Sequence, residues 1–313
     1  MTRPPLVVLA GATATGKTGL SIRIAEALRA DGRLVEIISA DSRQVYRGLD
    51  IGTAKIRPDE RLGIPHHGLD LVEPDVRFTV GDFVRHAEGA LARLAERRGI
   101  ALLVGGTGLY LRAVGRGLDI EALPHDPTRR AALDAELERD GLGPLVARLR
   151  EQAPRLAAAI DPRNPRRVLR ALEHAAVNGD RPRPTPRGYG GPSLWLGLAL
   201  ADRALHDRRI GERAVAQFAA GLLEEAASLR RRWDPSLPAF SAIGYREAWS
   251  VLDGTATLEA AIALDAQRNR AFARRQATWF RSEPGIRWLE AAESPDRVAI
   301  DAVRGFLDAL PVS

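Results

Sequence analysis

The sequence predicts an α/β protein in which a parallel sheet flanked by helices is interrupted by an all-helical insertion. Three observations carry that expectation. Short apolar runs ending near glycine or aspartate alternate with stretches of helical period. From about Gly115 to Gly191 the strand signals stop. Beyond that stretch an apolar run returns, so the sheet is split around the insertion.

Leu6 to Ala10 is apolar and ends at Gly11, and after Thr18 comes the helical spacing of Leu20, Ile22, Ile24, Ala25 and Leu28. That is strand, loop, helix. Val35 to Ser39 reads as a second strand ending at Asp41, and Ala101 to Val104 as a third that runs through Gly105-Gly106 into Leu109-Tyr110-Leu111. Strands alternating with helices make a parallel sheet covered on both faces. Ligands of such sheets bind beyond the carboxyl ends of the strands, where Gly11 to Thr18, Asp41 and Gly105 to Gly108 are expected to converge. The insertion is helical and arginine-rich, is punctuated by Pro124, Pro127, Pro154, Pro162 and Pro165, and closes in R-P-R-P-T-P-R-G-Y-G-G-P, an extended connector. Leu194 to Leu200 then reads as a strand returning to the sheet, followed by long helices between His206 and Phe280 and a last strand around Ile286 to Leu289. The expected division is a core of 1–115 with 193–313 and an insertion of 116–192.

Composition narrows the function classes. With 45% hydrophobic and 27% charged residues among 313, the chain is neither disordered nor fibrous. Its longest apolar runs fall far short of the roughly 20 residues that cross a bilayer, so no membrane partner is expected. No apolar signal core follows Met1, and there is no cysteine for disulfides or thiolate-bound zinc, which together fit a cytoplasmic location. Forty-six basic against forty acidic residues leave +6, which points to an anionic partner. Lys17 and Lys55 are the only lysines in a chain whose other strong bases are all arginine, as if a compact ammonium were required at those two loops.

Gly11-Ala12-Thr13-Ala14-Thr15-Gly16-Lys17-Thr18 satisfies G-x-x-x-x-G-K-[ST] between a strand and a helix, which makes the sheet P-loop-type. The glycines let successive amides face one phosphate at the positive end of the helix dipole, Lys17 reaches its oxygens, and Thr18 offers a hydroxyl to magnesium. A P-loop specifies polyphosphate, not a reaction. Asp41, just after the second strand, either faces a nucleophile beside that phosphate or caps a helix.

Gly11 to Thr18, Asp41 to Lys55, I-P-H-H-G-L-D from Ile64 and L-V-G-G-T-G-L-Y from Leu103 together resemble the bacterial tRNA dimethylallyltransferase family. D-P-R-N-P-R-R-V-L-R-A-L-E from Asp161, S-A-I-G-Y-R-E-A-W from Ser241 and R-R-Q-A-T-W-F-R from Arg274 extend the likeness through most of the chain. The resemblance implies transfer of a dimethylallyl group from dimethylallyl diphosphate to the exocyclic amine of the adenosine after the anticodon. The P-loop would hold the donor diphosphate, without ATP. It implies Asp41 as the acceptor of the amine proton, Thr107 of G-G-T-G as a holder of that amine, and an arginine to stabilise the leaving diphosphate. Arg209 is best placed for that last part, with Arg213 four residues on along one helix face.

The same resemblance assigns RNA contacts to Asp41, Ser42, Arg43, Gln44 and Thr107, to Arg166, Arg167 and Arg170, to Ser241, Gly244, Tyr245 and Arg246, and to Arg274, Arg275, Gln276, Trp279 and Arg281. Phe280 reads as core. Arg43, where a small residue is expected, and Ser241-Ala242, in place of a more polar pair, depart from the family pattern. His66, His67 and Asp70 lack a third ligand at metal spacing and read as structural or substrate-lining, while His86, His125, His174 and His206 belong to no constellation. Other readings of the P-loop remain: prenyl transfer to free adenine nucleotides, a nucleotide kinase, or a noncatalytic RNA-binding protein. The working unit is expected to be a monomer.

Overall fold

The computed structural model describes residues 3–119, 126–182 and 185–311; Pro124, His125 and positions 183–184 of the connector lie outside them. In chain order the elements are β1 (Leu6–Gly11), α1 (Lys17–Ala30), β2 (Val35–Ser39), β3 (His66–His67), α2 (Val80–Glu96), β4 (Ile100–Gly105) and α3 (Gly108–Gly115). Next come α4 (Pro127–Asp140), α5 (Leu142–Gln152), α6 (Pro154–Ala158) and α7 (Pro165–Asn178). The chain continues with β5 (Ser193–Ala199), α8 (Arg203–Ala219), α9 (Leu222–Arg232), α10 (Tyr245–Leu252), α11 (Leu258–Arg281), β6 (Arg287–Glu290) and α12 (Asp296–Asp308). Two compact units result, one of Met1–Gly117 with Gly188–Ser313 and one of Leu118–Arg187.

In the first unit six strands form one parallel sheet in the order β3-β2-β4-β1-β5-β6. Every residue of β1 is buried, and alternate side chains go to opposite faces. Val7 and Leu9 join the cluster that contains Leu20, Ile24 and Leu28 of α1 and Val303 of α12. Leu6, Val8 and Ala10 join Phe83, Ala87 and Leu91 of α2 and Tyr110 and Leu111 of α3. The sheet is thus covered on both faces, which is why its strands read as unbroken apolar runs.

β3, α2 and α12 were absent from the sequence reading. α2 begins with a capping box in which Thr79 and Asp82 satisfy each other's backbone, a local signal that sequence alone carries. β3 has two residues, too short for any periodicity, and exists because Ile37 and Ile38 of β2 offer it partners.

The second unit packs Leu133 of α4, Leu145 and Leu149 of α5, Leu156 of α6 and Val168, Leu169 and Leu172 of α7 into its own core. Asn164 caps α7 by accepting the Arg167 N–H at 3.3 Å, with Pro165 in the first turn.

Candidate active site

Because β4 lies between β2 and β1, the turns that follow β1, β2 and β4 are neighbours at one edge of the sheet. The turn after β1 carries the P-loop. A Cβ at Gly11 would meet the Leu198 carbonyl at 2.6 Å, so only glycine lets the strand end this close to β5. Gly16 has open space around it but a φ of 91°, so its reason is conformational: it turns the chain into α1. Thr15 donates its hydroxyl to the Ala12 carbonyl at 2.9 Å, and Lys17 Nζ reaches the same carbonyl at 2.6 Å.

A cavity of about 340 Å³ opens beside this loop, lined by Ala14, Gly16, Lys17, Thr18, Arg209 and Arg213. The two arginines come from α8, as does His206, and the i, i+3, i+7 spacing sets all three on one helix face. Arg213 Nη1 donates to Thr13 Oγ1 at 2.9 Å, and His206 Nε2 donates to the Thr13 carbonyl at 2.8 Å. Burial pushes the Lys17 ammonium down to about 7, Arg213 pushes it the same way, and Asp41 opposes. Burial likewise lowers Arg213, with Asp41 and Asp265 opposing. Three cationic side chains around one small cavity, two of them desolvated, form a site for a compact polyanion. The Thr18 hydroxyl lines that cavity, and no group of His, Asp and Glu among the described residues could hold a metal by itself.

On the other side of the P-loop, Asp41 opens a turn rather than a helix. Its Oδ1 accepts the Arg43 N–H at 2.8 Å and the Gln44 N–H at 3.4 Å. Oδ1 caps the turn, and no donor among the described residues engages Oδ2. Thr107 lies against that turn. Its Oγ1 accepts the Ser42 N–H at 3.1 Å and its own N–H donates to the Ala40 carbonyl at 3.2 Å, which leaves the hydroxyl hydrogen for another acceptor.

The segment after Asp41 is held from beneath. Lys55, whose side chain is 3% exposed, donates to the Tyr46 carbonyl at 2.8 Å and to Asp50 and Asp70 at 2.6 Å each. Three donors meet three acceptors, which a planar guanidinium does not do from one point, so this lysine is structural. Glu225 of α9 accepts the N–H groups of Asp50, Ile51 and Gly52 and the hydroxyl of Tyr245. His67 pairs with the buried Glu36 at 2.6 Å, and His86 accepts the Gly68 N–H at 3.1 Å, so these histidines hold the β2 edge.

The residues matched to RNA-contacting blocks divide by exposure. Arg246, Arg274, Arg275, Arg281, Arg166 and Arg167 are exposed, and Ser241 is exposed with its hydroxyl on the Pro238 carbonyl at 2.7 Å. Arg43 Nη1 donates to that same carbonyl at 2.9 Å, so the two departures from the family pattern meet at one atom. Gln44 spends its amide on Ser39 at 3.0 Å and Thr53 at 3.1 Å. Trp279 is half-buried with the Arg112 guanidinium 4.5 Å above its ring, and Phe280 is core at 1%.

Three expected RNA contacts, Tyr245, Gly244 and Gln276, need correction. Tyr245 is fully buried against Gly52 with its hydroxyl on Glu225 at 2.7 Å, and burial raises its pKa well above the usual phenol value. Gly244 is buried at the start of α10, its N–H on Glu247 at 2.9 Å. Arg170, whose side chain remains one-third exposed, also pairs with Glu173 at 3.3 Å, a buried carboxylate that it shares with Arg130. Gln276 is 7% exposed and bridges backbone atoms of Thr13 and Gly106. His206, conversely, had been assigned nothing; its place three and seven residues before Arg209 and Arg213 was the available signal.

The IPP transferase family model matches residues 44–283. A tRNA dimethylallyltransferase of Symbiobacterium thermophilum is 44% identical over 306 residues, covering 96% of this chain and 94% of that protein. One of Thermus thermophilus is 44% identical over 283 residues, covering 89% and 90%. The crystal structure of a full-length tRNA isopentenylpyrophosphate transferase from Bacillus halodurans superposes with a TM-score of 0.71 at 36% identity, covering 97% of each chain. A eukaryotic dimethylallyltransferase acting on tRNA shares the fold with a TM-score of 0.80 at 24% identity, covering 99% of this chain and 81% of that one.

Proposed function

The chain belongs to the IPP transferase family, and on that premise we propose that it moves a dimethylallyl group from dimethylallyl diphosphate to the exocyclic amine of the adenosine 3′ to the anticodon in tRNAs reading codons that begin with uridine. The products are isopentenyladenosine and diphosphate. The observation that supports this best is the strand order, in which the turn with the cationic cavity adjoins the turns that carry the Asp41 carboxylate and the Thr107 hydroxyl, the latter two linked through the Ser42 N–H.

In the transfer the allylic carbon–oxygen bond of the donor breaks, a carbon–nitrogen bond to the adenine forms, and the amine loses a proton. An adenine amine is a weak nucleophile because its lone pair is delocalised into the ring. Asp41 Oδ2 takes the proton as the bond forms, while Oδ1 keeps the carboxylate oriented through the turn. Thr107 holds the amine at that position by accepting one amine N–H at the second lone pair of its hydroxyl oxygen, which leaves the nitrogen lone pair free to attack. Lys17, Arg209 and Arg213 receive the charge that accumulates on the leaving diphosphate, in a site where burial strengthens each interaction. The Thr18 hydroxyl, which lines the cavity, would hold a magnesium ion there, and that ion would supply further neutralisation of the leaving diphosphate.

Arg274, Arg275 and Arg281 on α11 contact the anticodon stem-loop chiefly through phosphates, and Trp279 offers a ring face to an unstacked base; in the helical unit, Arg166 and Arg167 on α7 offer phosphate contacts of the same kind. The working unit is taken as a monomer, and the location as the cytoplasm. No helix among the described residues is long and apolar enough to cross a membrane.

One experiment tests the reading: labelled dimethylallyl diphosphate is incubated with tRNA, with AMP and alone. Label in tRNA is expected. Label in AMP alone would move the enzyme to free nucleotides, and no transfer at all would leave an RNA-binding protein or a kinase.

A further inference from the structure

Gln276, on α11, uses both ends of one amide on backbone. Its Oε1 accepts the Thr13 N–H at 2.8 Å and its Nε2 donates to the Gly106 carbonyl at 2.9 Å. The first contact spans 263 residues of chain and the second 170, so three distant segments meet at one planar group. The fit is tight, since a Cβ at Gly106 would fall on Nε2. Thr13 is held at its other polar atoms as well, its carbonyl by His206 and its hydroxyl by Arg213. Gly106 directly precedes Thr107 in the G-G-T-G loop. A carboxamide carries an acceptor and a donor side by side, and among side chains only Asn and Gln do so without charge.

We infer that Gln276 is a positioning residue: it sets the distance between the donor diphosphate and the acceptor amine by tying the loop that holds one to the loop that holds the other. The inference rests on the proposed prenyl transfer. Reacting atoms must approach to about 3–3.5 Å, and a misplacement of about 1 Å costs on the order of a hundredfold in rate. His206 and Arg213 hydrogen-bond on the P-loop side, whereas Gln276 hydrogen-bonds to both loops. Slack at that one bridge is therefore transmitted to the gap between carbon and nitrogen.

Gln276→Met keeps the length and removes both hydrogen bonds. Gln276→Glu keeps the shape and the acceptor for Thr13, but sets an oxygen against the Gly106 carbonyl. Each variant is measured for thermal unfolding, for tRNA and donor affinity, and for single-turnover transfer at saturating tRNA and donor. The partition of consumed donor between prenylated tRNA and dimethylallyl alcohol, formed when water attacks the allylic carbon, is followed in the same reactions. In both folded variants the saturated rate is expected to fall by about tenfold to a hundredfold with affinities within about twofold, and the share lost to water is expected to rise. A saturated rate like that of the wild type with weakened tRNA binding would make Gln276 an RNA contact and overturn the inference. A Met variant that fails to fold beside a Glu variant with wild-type rate and partition would make it merely structural and overturn it equally. Failure of the wild-type protein to prenylate tRNA would count against the proposed function instead.

Discussion

The arginines of the Leu118–Arg187 unit and the cations beside the P-loop have the same charge and opposite surroundings. In that unit Arg130 pairs with Asp134 and Glu173, Arg148 with Glu136, Arg139 with Asp140 and Arg163 with Asp161. At the P-loop, Lys17 and Arg213 bond to a carbonyl and a hydroxyl, and no carboxylate forms an ion pair with either among the described residues. A half-buried cation without a counter-ion is poised for one anion at one place, and its energy on meeting it is large. A solvated arginine, already sharing a carboxylate or free at the surface, contributes little singly and acts in numbers on a diffuse polyanion. On the proposed function, one region serves chemistry and the other grip.

That contrast can be broken or sharpened in order of expected size. Asp41→Asn keeps the turn cap and an acceptor but cannot take the proton, so single-turnover transfer at saturating substrates is expected to fall by about a hundredfold to ten-thousandfold, with affinities little changed. A near-normal rate would return Asp41 to a capping role. Lys17→Ala removes one desolvated cation, and a loss of about a hundredfold to a thousandfold in rate is expected while tRNA affinity holds. Transfer at the wild-type rate would mean that the cavity is not the diphosphate site.

The pH dependence of donor binding is the next smaller effect. Burial pushes the Lys17 ammonium down to about 7, below the 10.5 of an ordinary lysine, so between those values the unfolded chain holds more protons and this group's contribution to stability rises with pH. A bound diphosphate favours the ammonium and reverses the preference. Donor affinity should therefore weaken above pH 7, by at most about tenfold per pH unit from this group, and Lys17→Met should flatten the trend in calorimetric titrations. A slope shared by wild type and variant would assign the titration elsewhere. Smallest of all, Arg167→Ala and Arg274→Ala should each lower the slope of log affinity for tRNA against log salt by about one unit or slightly less, leaving the saturated rate alone. If either removed activity and left the slope intact, grip and chemistry would not be separate.

Much of the cationic cavity was legible because its information is local. Gly11, Gly16, Lys17 and Thr18 lie within eight consecutive positions, and a strand before them and a helix after them are visible as periodicity. Arg209 and Arg213 were legible as one helix face. The acceptor side was legible only through resemblance, since Asp41 and Thr107 are 66 positions apart by their numbers and nothing in either neighbourhood points to the other.

What the sequence by itself determined was each turn and the residues it offers, because backbone sterics, apolar spacing and glycine's freedom act over a few residues. The tertiary structure decided which turns are neighbours, by inserting β4 between β1 and β2, and which polar side chains remain available to a substrate. Tyr245 and Gln276 stand in segments that resemble RNA-contacting blocks, yet Glu225 takes the hydroxyl of one, and Thr13 and Gly106 take both ends of the other. The physical reason is that a buried polar group must find a partner, and the partner it finds is set by packing between elements far apart in the chain, which no local pattern records.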